Sequence, residues 1–294
     1  MGRSAVETVA PDDWRVSRAT SVQWEPTHTA EHGGSLADGA VLRSAFPKVT
    51  VLVPSLNEAR NLRHVMPRIP PWVHEIILID GRSTDDSIAV AQAVRPDCIV
   101  LTQTQRGKGA ALRAGFAAAT GDIIVTLDAD GSADPAEITG FVGLLMSGAD
   151  YVKGSRFIQG GGTADMEWYR RAGNWVLTAV VRVLFGGRFS DLCYGYNAFW
   201  RDVLPVIAPN ADGFEIETLM NLRAFRSKLR VAELPSFEAL RIHGTSNLRT
   251  VADGWRVLRT IVRERLRRVL PVEIAPIALT GGSSDGFRPS QRMS

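Results

Sequence analysis

The chain predicts an α/β fold, a mostly parallel sheet flanked by helices, on three observations. Its apolar runs are short and continuous rather than alternating, as in strands buried on both faces. Each run is followed by a helical stretch of about three turns. Polar clusters then fall one after another at the ends of the runs, where ligands of such sheets bind.

Residues 49–53 (Val-Thr-Val-Leu-Val) form the first run, with a helix beginning near Asn57. Residues 75–80 form the second, and 84–94 read as a helix with Ser83 or Thr84 as its N-cap. A third run at 98–101 leads through Arg106-Gly107-Lys108-Gly109 into an Ala-rich helix over 109–120. The fourth, 123–127, ends at Asp128-Ala129-Asp130; Pro135 opens another helix, and 151–154 is a short fifth strand. After residue 160 the pattern turns helical. Helices are predicted over 166–185, 214–228 and 251–268, with a strand over 231–237. Residues 1–45 and 271–294 mix Gly, Ser, Thr, Pro and charge without apolar periodicity, and are expected to be a flexible leader and tail.

A chain of 294 residues holds one large or two modest domains. Its 34 basic and 31 acidic residues leave +3, which gives no argument for nucleic acid, and none is expected as a partner. Cys98 and Cys193 lie in or beside predicted core strands and read as small buried hydrophobes rather than a disulfide. No apolar run approaches the ~20 residues that span a bilayer. The N-terminus lacks the apolar stretch of a secretory signal, so the chain reads as cytoplasmic.

Asp128 and Asp130 are the most informative pair. Carboxylates at i and i+2 where a strand exits can converge on one hard cation. Mg²⁺ is usually held through one or two carboxylates, with phosphate oxygens completing the shell. Pro54-Ser55-Leu56-Asn57-Glu58 closes the first strand, turning Asn57 and Glu58 toward the crevice or simply capping a helix. Asp80 ends the second strand, where an acid often bonds a ribose or base edge; the following Ser, Thr and Asp residues also suit a helix start. Gly107-Lys108-Gly109 suits either a phosphate at a helix N-terminus or a plain glycine turn. It lacks the spacing of a P-loop.

These four strand ends, P-S-L-N-E, D-G-R-S-T-D, G-K-G and D-A-D-G, resemble in order the family 2 inverting glycosyltransferases of the GT-A (Rossmann-like) fold, within them the polyprenyl-phosphate (dolichyl-phosphate-type) hexosyltransferases. The resemblance runs from about residue 49 to 268. It includes Gly154-Ser155-Arg156-Phe157, Gly195-Tyr196-Asn197-Ala198-Phe199, Gly213-Phe214-Glu215-Ile216-Glu217 and the stretch from Arg241 to Leu248. It implies one domain over 46–270, with a nucleotide-sugar half (46–160) and an acceptor half (161–270) that ends in acceptor-side helices. It also implies that Pro54, Asn57, Glu58 and Asp80 bind base and ribose of a UDP- or GDP-hexose, with Lys108 beside the nucleotide. Asp128 and Asp130 would hold Mg²⁺ or Mn²⁺ on the diphosphate, Asp130 with Arg156 and Asp191 forming the catalytic set. Arg156 would approach a donor or acceptor phosphate, Asp191 takes the family's acidic position, and Arg241 and Ser246 close over the acceptor phosphate. The expected acceptor is a polyprenyl phosphate, or else a soluble small molecule; for an alcohol acceptor, Asp191, Glu215 and Glu217 are the candidate bases.

The chain departs from the family pattern in places. Asp-Asp-Gly-Ser becomes Asp80-Gly81-Arg82-Ser83, and Ser132 stands where a Gln often serves as a further metal ligand, leaving His243 as a substitute or as a plain loop histidine. Family members often carry C-terminal transmembrane helices, and this chain shows none. Arg256, Arg259, Arg263 and Arg267 recur on one side of the last helix, and Trp255, Leu258, Val262, Leu266 and Val269 on another. Such a helix can lie on an anionic membrane, or pack on the domain with its basic face solvated. The aromatic 166–185 helix favours peripheral attachment at the inner face of the cell membrane.

Overall fold

The computed structural model describes residues 41–186, 189–244, 250–267 and 277–280. In chain order the strands are β1 Val41–Ser44, β2 Val49–Ser55, β3 Glu75–Asp80, β4 Ile99–Thr102, β5 Ile123–Thr126, β6 Tyr151–Ser155, β7 Gly162–Thr163, β8 Asn197–Trp200, β9 Val231–Pro235, β10 Phe237–Glu238 and β11 Ile277–Thr280. The helices are α1 Ala59–Val65, α2 Ser87–Val94, α3 Lys108–Ala118, α4 Ile138–Met146, α5 Trp168–Phe185, α6 Leu204–Ile207, α7 Glu215–Arg226 and α8 Thr250–Leu266. Short 3₁₀ turns precede α4 and α6.

The main sheet has seven strands in the order β4-β3-β2-β5-β8-β6-β9. β2 is almost wholly buried, which explains its unbroken Val-Thr-Val-Leu-Val run: helices cover both faces and leave no position for alternating polar residues. β2 pairs in parallel with β3 and β5, and β3 with β4. α3 lies close against this sheet because Gly115 has no side chain; a Cβ there would sit 2.5 Å from Ile79 Cδ1. The expected mostly parallel α/β sheet is present. β8 departs from it, running antiparallel between β5 and β6. Its insertion cuts across a division at residue 160, because the strand joining the two sides of the sheet comes from the later part of the chain.

Strand direction decides where the loops gather. β2, β3, β4, β5, β6 and β9 point the same way, so their carboxyl ends share one edge of the sheet. Antiparallel β8 enters from that same edge, bringing Tyr194 and Gly195 beside the exit of β5, where Thr126 Oγ1 donates to Gly195 O at 2.8 Å.

Two expectations are corrected. α2 begins at Ser87 after Asp86, not at Ser83 or Thr84: the Ser83 hydroxyl and the Thr84 amide both bond Asn57 in the loop after β2. Val41–Ser44 and Ile277–Thr280, assigned from sequence to the leader and tail, form a two-stranded parallel sheet. Arg43 anchors β1. Its guanidinium meets Asp150 at 2.7 Å and grips Asp202 through two bonds, at 3.0 and 2.9 Å, while lying 4.7 Å from the Trp200 ring. The arginine is buried, so removing it strands the partly buried carboxylates. Arg43→Ala is expected to cost about 3 kcal/mol, read as a lower denaturant midpoint at unchanged slope.

Candidate active site

At the shared edge of the sheet, two loops are laced together first. Asn57 and Arg82 both adopt left-handed backbone, at φ 58° and 66°. The Asn57 amide donates to Ser83 Oγ at 2.9 Å, and Asn57 Oδ1 accepts from Thr84 N at 2.7 Å. Asn is among the few residues that tolerate this conformation readily. Arg82 occupies the position where the family pattern has Gly, and its positive φ supplies the physical reason for that glycine. Asp80 is buried and accepts the amides of Arg82 at 3.0 Å and Ser83 at 3.1 Å. Asn57 and Asp80 therefore build the rim of the crevice, beside half-buried Pro54.

The central cluster forms where β5, α3, β8 and α7 meet. Lys108, the first residue of α3, lies 2.6 Å from Asp128 and 2.5 Å from Glu217 in the first turn of α7. Burial alone would depress the Lys108 ammonium, but the two carboxylates hold it above the ordinary lysine value. Burial pushes the Glu217 carboxyl up, against the pull of Lys108. Gly195 is what lets these groups converge. A Cβ there would lie 2.6 Å from Glu217 Oε1, 2.7 Å from Lys108 Nζ and 2.9 Å from Asp128 Oδ2.

Asp130 is fixed separately. Ser132 donates to it through its backbone N at 3.0 Å and its Oγ at 2.8 Å, and Arg241 approaches its other oxygen at 3.0 Å. Arg241 also reaches Asp165 at 3.3 Å. Glu58, half-buried, accepts from Asn61 at 2.5 Å. Its carboxyl is raised, first by burial and further by the charges of Asp130 and Asp128. The D-A-D turn thus faces a crevice in which Glu58, Asp128, Asp130 and Glu217 are only partly offset by Lys108 and Arg241.

Several expected roles change with this geometry. Gly107 and Gly109 admit protein backbone rather than a ligand. A Cβ on Gly109 would meet Ala211 O at 2.4 Å, and one on Gly107 would meet Asp212 O at 2.1 Å. Arg156 and Asp191 are paired with each other, both buried, through Nε–Oδ2 at 2.7 Å and Nη2–Oδ1 at 3.0 Å. Arg156 also bonds Glu238 at 3.0 Å and lies 4.6 Å from the Tyr194 ring. Burial would raise the Asp191 carboxyl, but Arg156 holds it below its ordinary value. This pair fastens the end of β6 to the segment before β8. His243 turns its ring toward His64, 6.1 Å between centroids. Among the described residues no group of three His, Cys, Asp or Glu is placed to hold a metal ion. Ser246 lies outside the described residues. Cys98 is buried and Cys193 half-buried, and neither forms a disulfide.

Two residues escaped the sequence reading. Lys153, fully buried in β6, donates to Tyr194 O at 2.9 Å, and burial lowers its ammonium. The only sequence signal was a lysine inside an otherwise apolar strand. Glu137, in the turn after the D-A-D loop, accepts Ser236 Oγ at 2.5 Å and Phe237 N at 3.2 Å. It thereby ties the segment leading to Arg241 against the site. Burial raises its carboxyl to about 7. The folded state keeps that proton where the unfolded chain has lost it, so the contribution to stability is full below pH 4.5 and is lost as pH rises through about 7. Glu137→Gln is expected to remove this dependence, worth at most about 3 kcal/mol. Thermal melts of both proteins at about pH 4 and about pH 8 check it; parallel curves would refute it.

Comparison with known proteins agrees with this geometry. A family model described as glycosyl transferase family 2 matches residues 50–207. The polyprenol monophosphomannose synthase of Mycolicibacterium smegmatis is 32% identical over 216 residues, covering 69% of this chain and 81% of that protein. The dolichol-phosphate mannosyltransferase of Pyrococcus furiosus is 28% identical over 211 residues, 69% of this chain and 59% of that protein. Among solved structures, glucosyl-3-phosphoglycerate synthase from Mycobacterium tuberculosis, in complex with Mn²⁺, UDP and glucosyl-3-phosphoglycerate, aligns at TM-score 0.60 and 26% identity, covering 74% of this chain and 80% of that one. With a family model spanning more than half its length and a relative above 30% identity over two thirds of it, the chain belongs to glycosyl transferase family 2.

Proposed function

We propose that the chain transfers a hexose from a UDP- or GDP-linked sugar to a polyprenyl phosphate, with inversion at the anomeric carbon and dependence on Mg²⁺ or Mn²⁺. The observation that carries this reading is that two of the three candidate bases are committed to cations. Asp191 is sealed against Arg156 and Glu217 against Lys108, while Glu215 accepts the Gly213 amide at 3.3 Å and keeps its second oxygen buried. An alcohol acceptor needs a general base in reach. A phosphate is already ionised near neutral pH and needs orientation instead. The lipid-phosphate names of two relatives support the same choice.

The donor set fits a divalent cation. Asp128 and Asp130 offer hard carboxylate oxygens among an excess of acids, and Lys108 and Arg241 already hold positive charge on them. Asp128 and Asp130 would hold the metal, which supplies neutralisation of the departing diphosphate. Mn²⁺ in the structural relative supports that assignment. The chain's own residues do the rest. Pro54, Asn57, Glu58 and Asp80 shape the wall for base and ribose, and Lys108 stands beside the diphosphate. Arg241, partly exposed beside Asp130, orients the acceptor phosphate by charge-assisted hydrogen bonds. Arg156 and Asp191 are positioning residues for the loops on either side.

A second reading, transfer to a small soluble acceptor, is favoured by likeness to a synthase whose product is glucosyl-3-phosphoglycerate. Incubating the protein and Mn²⁺ or Mg²⁺ with a nucleotide-sugar panel, with and without polyprenyl phosphate, separates the two. Nucleoside-diphosphate release that depends on the lipid is the expected result, and release with phosphoglycerate alone would favour the second. Asp130→Asn should lower turnover on the order of a hundredfold or more; an unimpaired variant would remove the metal assignment. Gly195→Ala should keep the fold yet lose roughly ten- to a hundredfold in turnover, because its methyl displaces Lys108 and Asp128.

A further inference from the structure

We infer that Lys153 and Thr126 are positioning residues for the transfer: from within the sheet they hold the Tyr194-Gly195 turn on which Lys108, Asp128 and Glu217 converge. The inference rests on the reading of that cluster as the seat of the donor diphosphate.

The sheet carries one polar row where the rows behind it are apolar. Thr126 of β5 lies opposite Asn197 of β8, Asn197 opposite Lys153 of β6, and Lys153 beside Glu233 of β9. The next row inward is Val125, Ala198, Val152 and Ala232. Residues opposite one another in a ladder project to the same face, so the four polar side chains line up across four strands. Theirs is the row next to the crevice, since β5 ends at Thr126 and β8 begins at Asn197. Three of its members are sealed from water, with Lys153 0%, Asn197 1% and Thr126 2% exposed.

Two members of the row reach the same short turn. Lys153 Nζ donates to Tyr194 O at 2.9 Å, and Thr126 Oγ1 to Gly195 O at 2.8 Å. The next carbonyl, Tyr196 O, accepts the Gly154 amide at 2.8 Å. Three consecutive carbonyls are thus held from β5 and β6, on either side of β8, which pins the turn from both flanks. Gly195 sits in this turn at the one place where the side chains of Lys108, Asp128 and Glu217 all press on a single backbone position. A small displacement of the turn therefore reaches all three groups.

The lysine does more than fill space. An ammonium is costly to bury, and a neutral donor would satisfy a carbonyl. Burial depresses this ammonium and Arg156 adds to that, while the charges of Asp191, Glu217 and Glu233 oppose it. Carboxylate is in excess here, because Asp191 shares Arg156 with Glu238 and Glu217 shares Lys108 with Asp128. Lys153 thus supplies positive charge behind the crevice from the same atom that fastens the turn.

The test is calorimetric titration of the full chain with UDP and with GDP, each with Mn²⁺. Lys153→Met keeps the length of the side chain but loses its donor and charge, and is expected to weaken nucleotide binding by about tenfold. Thr126→Val should weaken it by roughly three- to tenfold, and carries the test should the methionine variant not fold. Tyr151→Phe should bind like wild type; it removes, from the same face of β6, a buried hydroxyl that has no hydrogen-bond partner among the described residues. Coupling separates positioning from plain packing. Added to Gly195→Ala, Lys153→Met should cost no more than about a further threefold, since the turn is already displaced. A lysine that only filled the core would lower the melting temperature and leave the affinity of the folded protein unchanged. Folded Lys153→Met and Thr126→Val proteins that bind like wild type overturn the inference, as do losses that multiply in full with Gly195→Ala. Wild-type protein that binds neither nucleotide strikes the donor-site reading, and the inference with it. Weakened nucleotide binding in the variants, with no transfer by wild type to any prenyl phosphate, upholds the positioning role and strikes the acceptor reading alone.

Discussion

Carboxylate crowding at one edge of the sheet is the constraint around which the molecule is arranged. Glu58, Asp128, Asp130 and Glu217 share a crevice, and buried or half-buried charges persist only when countered. Lys108 answers two of them at once, and Arg241 answers Asp130 while reaching Asp165. The neighbouring choices follow. Gly195 leaves room for Lys108 and its partners, Gly109 lets the start of α3 approach the 211–212 backbone, and Ser132 pins Asp130 from its own turn. A crevice that holds so much negative charge around two protein cations is suited to a polyanionic substrate accompanied by a metal, and poorly suited to a neutral one.

The sheet was legible in the sequence because burial on both faces writes itself as uninterrupted Val, Ile and Leu. β2, β3 and β5 were recognisable for that reason, as were the polar residues at their ends. β8 was not. Its Asn-Ala-Phe-Trp is four residues long and follows a Gly-Tyr motif that reads as loop, so nothing local announces an antiparallel strand in the middle of the sheet. The start of α2 was misplaced for a similar reason: Ser83 and Thr84 are good caps by type, but Asn57 of a distant loop engages them instead.

Long-range partners also explain what sequence could not say about the site. Arg156 and Asp191 are of the right type for chemistry, yet they are 35 positions apart and satisfy each other in the interior. Glu217 was visible only as one acid among several until α7 brought it to Lys108. On α8 the difficulty was subtler. Its packed face includes Asp253 and Glu264, so hydropathy alone points to the wrong side of the helix as the inside.

The antiparallel strand has a further consequence for how the polypeptide is assembled. During synthesis β4, β3, β2 and β5 can associate as soon as they emerge, since each neighbours another of that set. β6 cannot join them. Its partners are β8 and β9, both made later, and β5 likewise keeps one bare margin until residue 197 appears. Nascent chains halted in that interval would expose both edges of β6 and one edge of β5, the kind of surface that associates with other chains. The late arrival of Asn197–Trp200 therefore joins β6 to the earlier strands and in the same event delivers Gly195 to Lys108, before β9, Glu217 and Arg241 complete the sheet and the crevice.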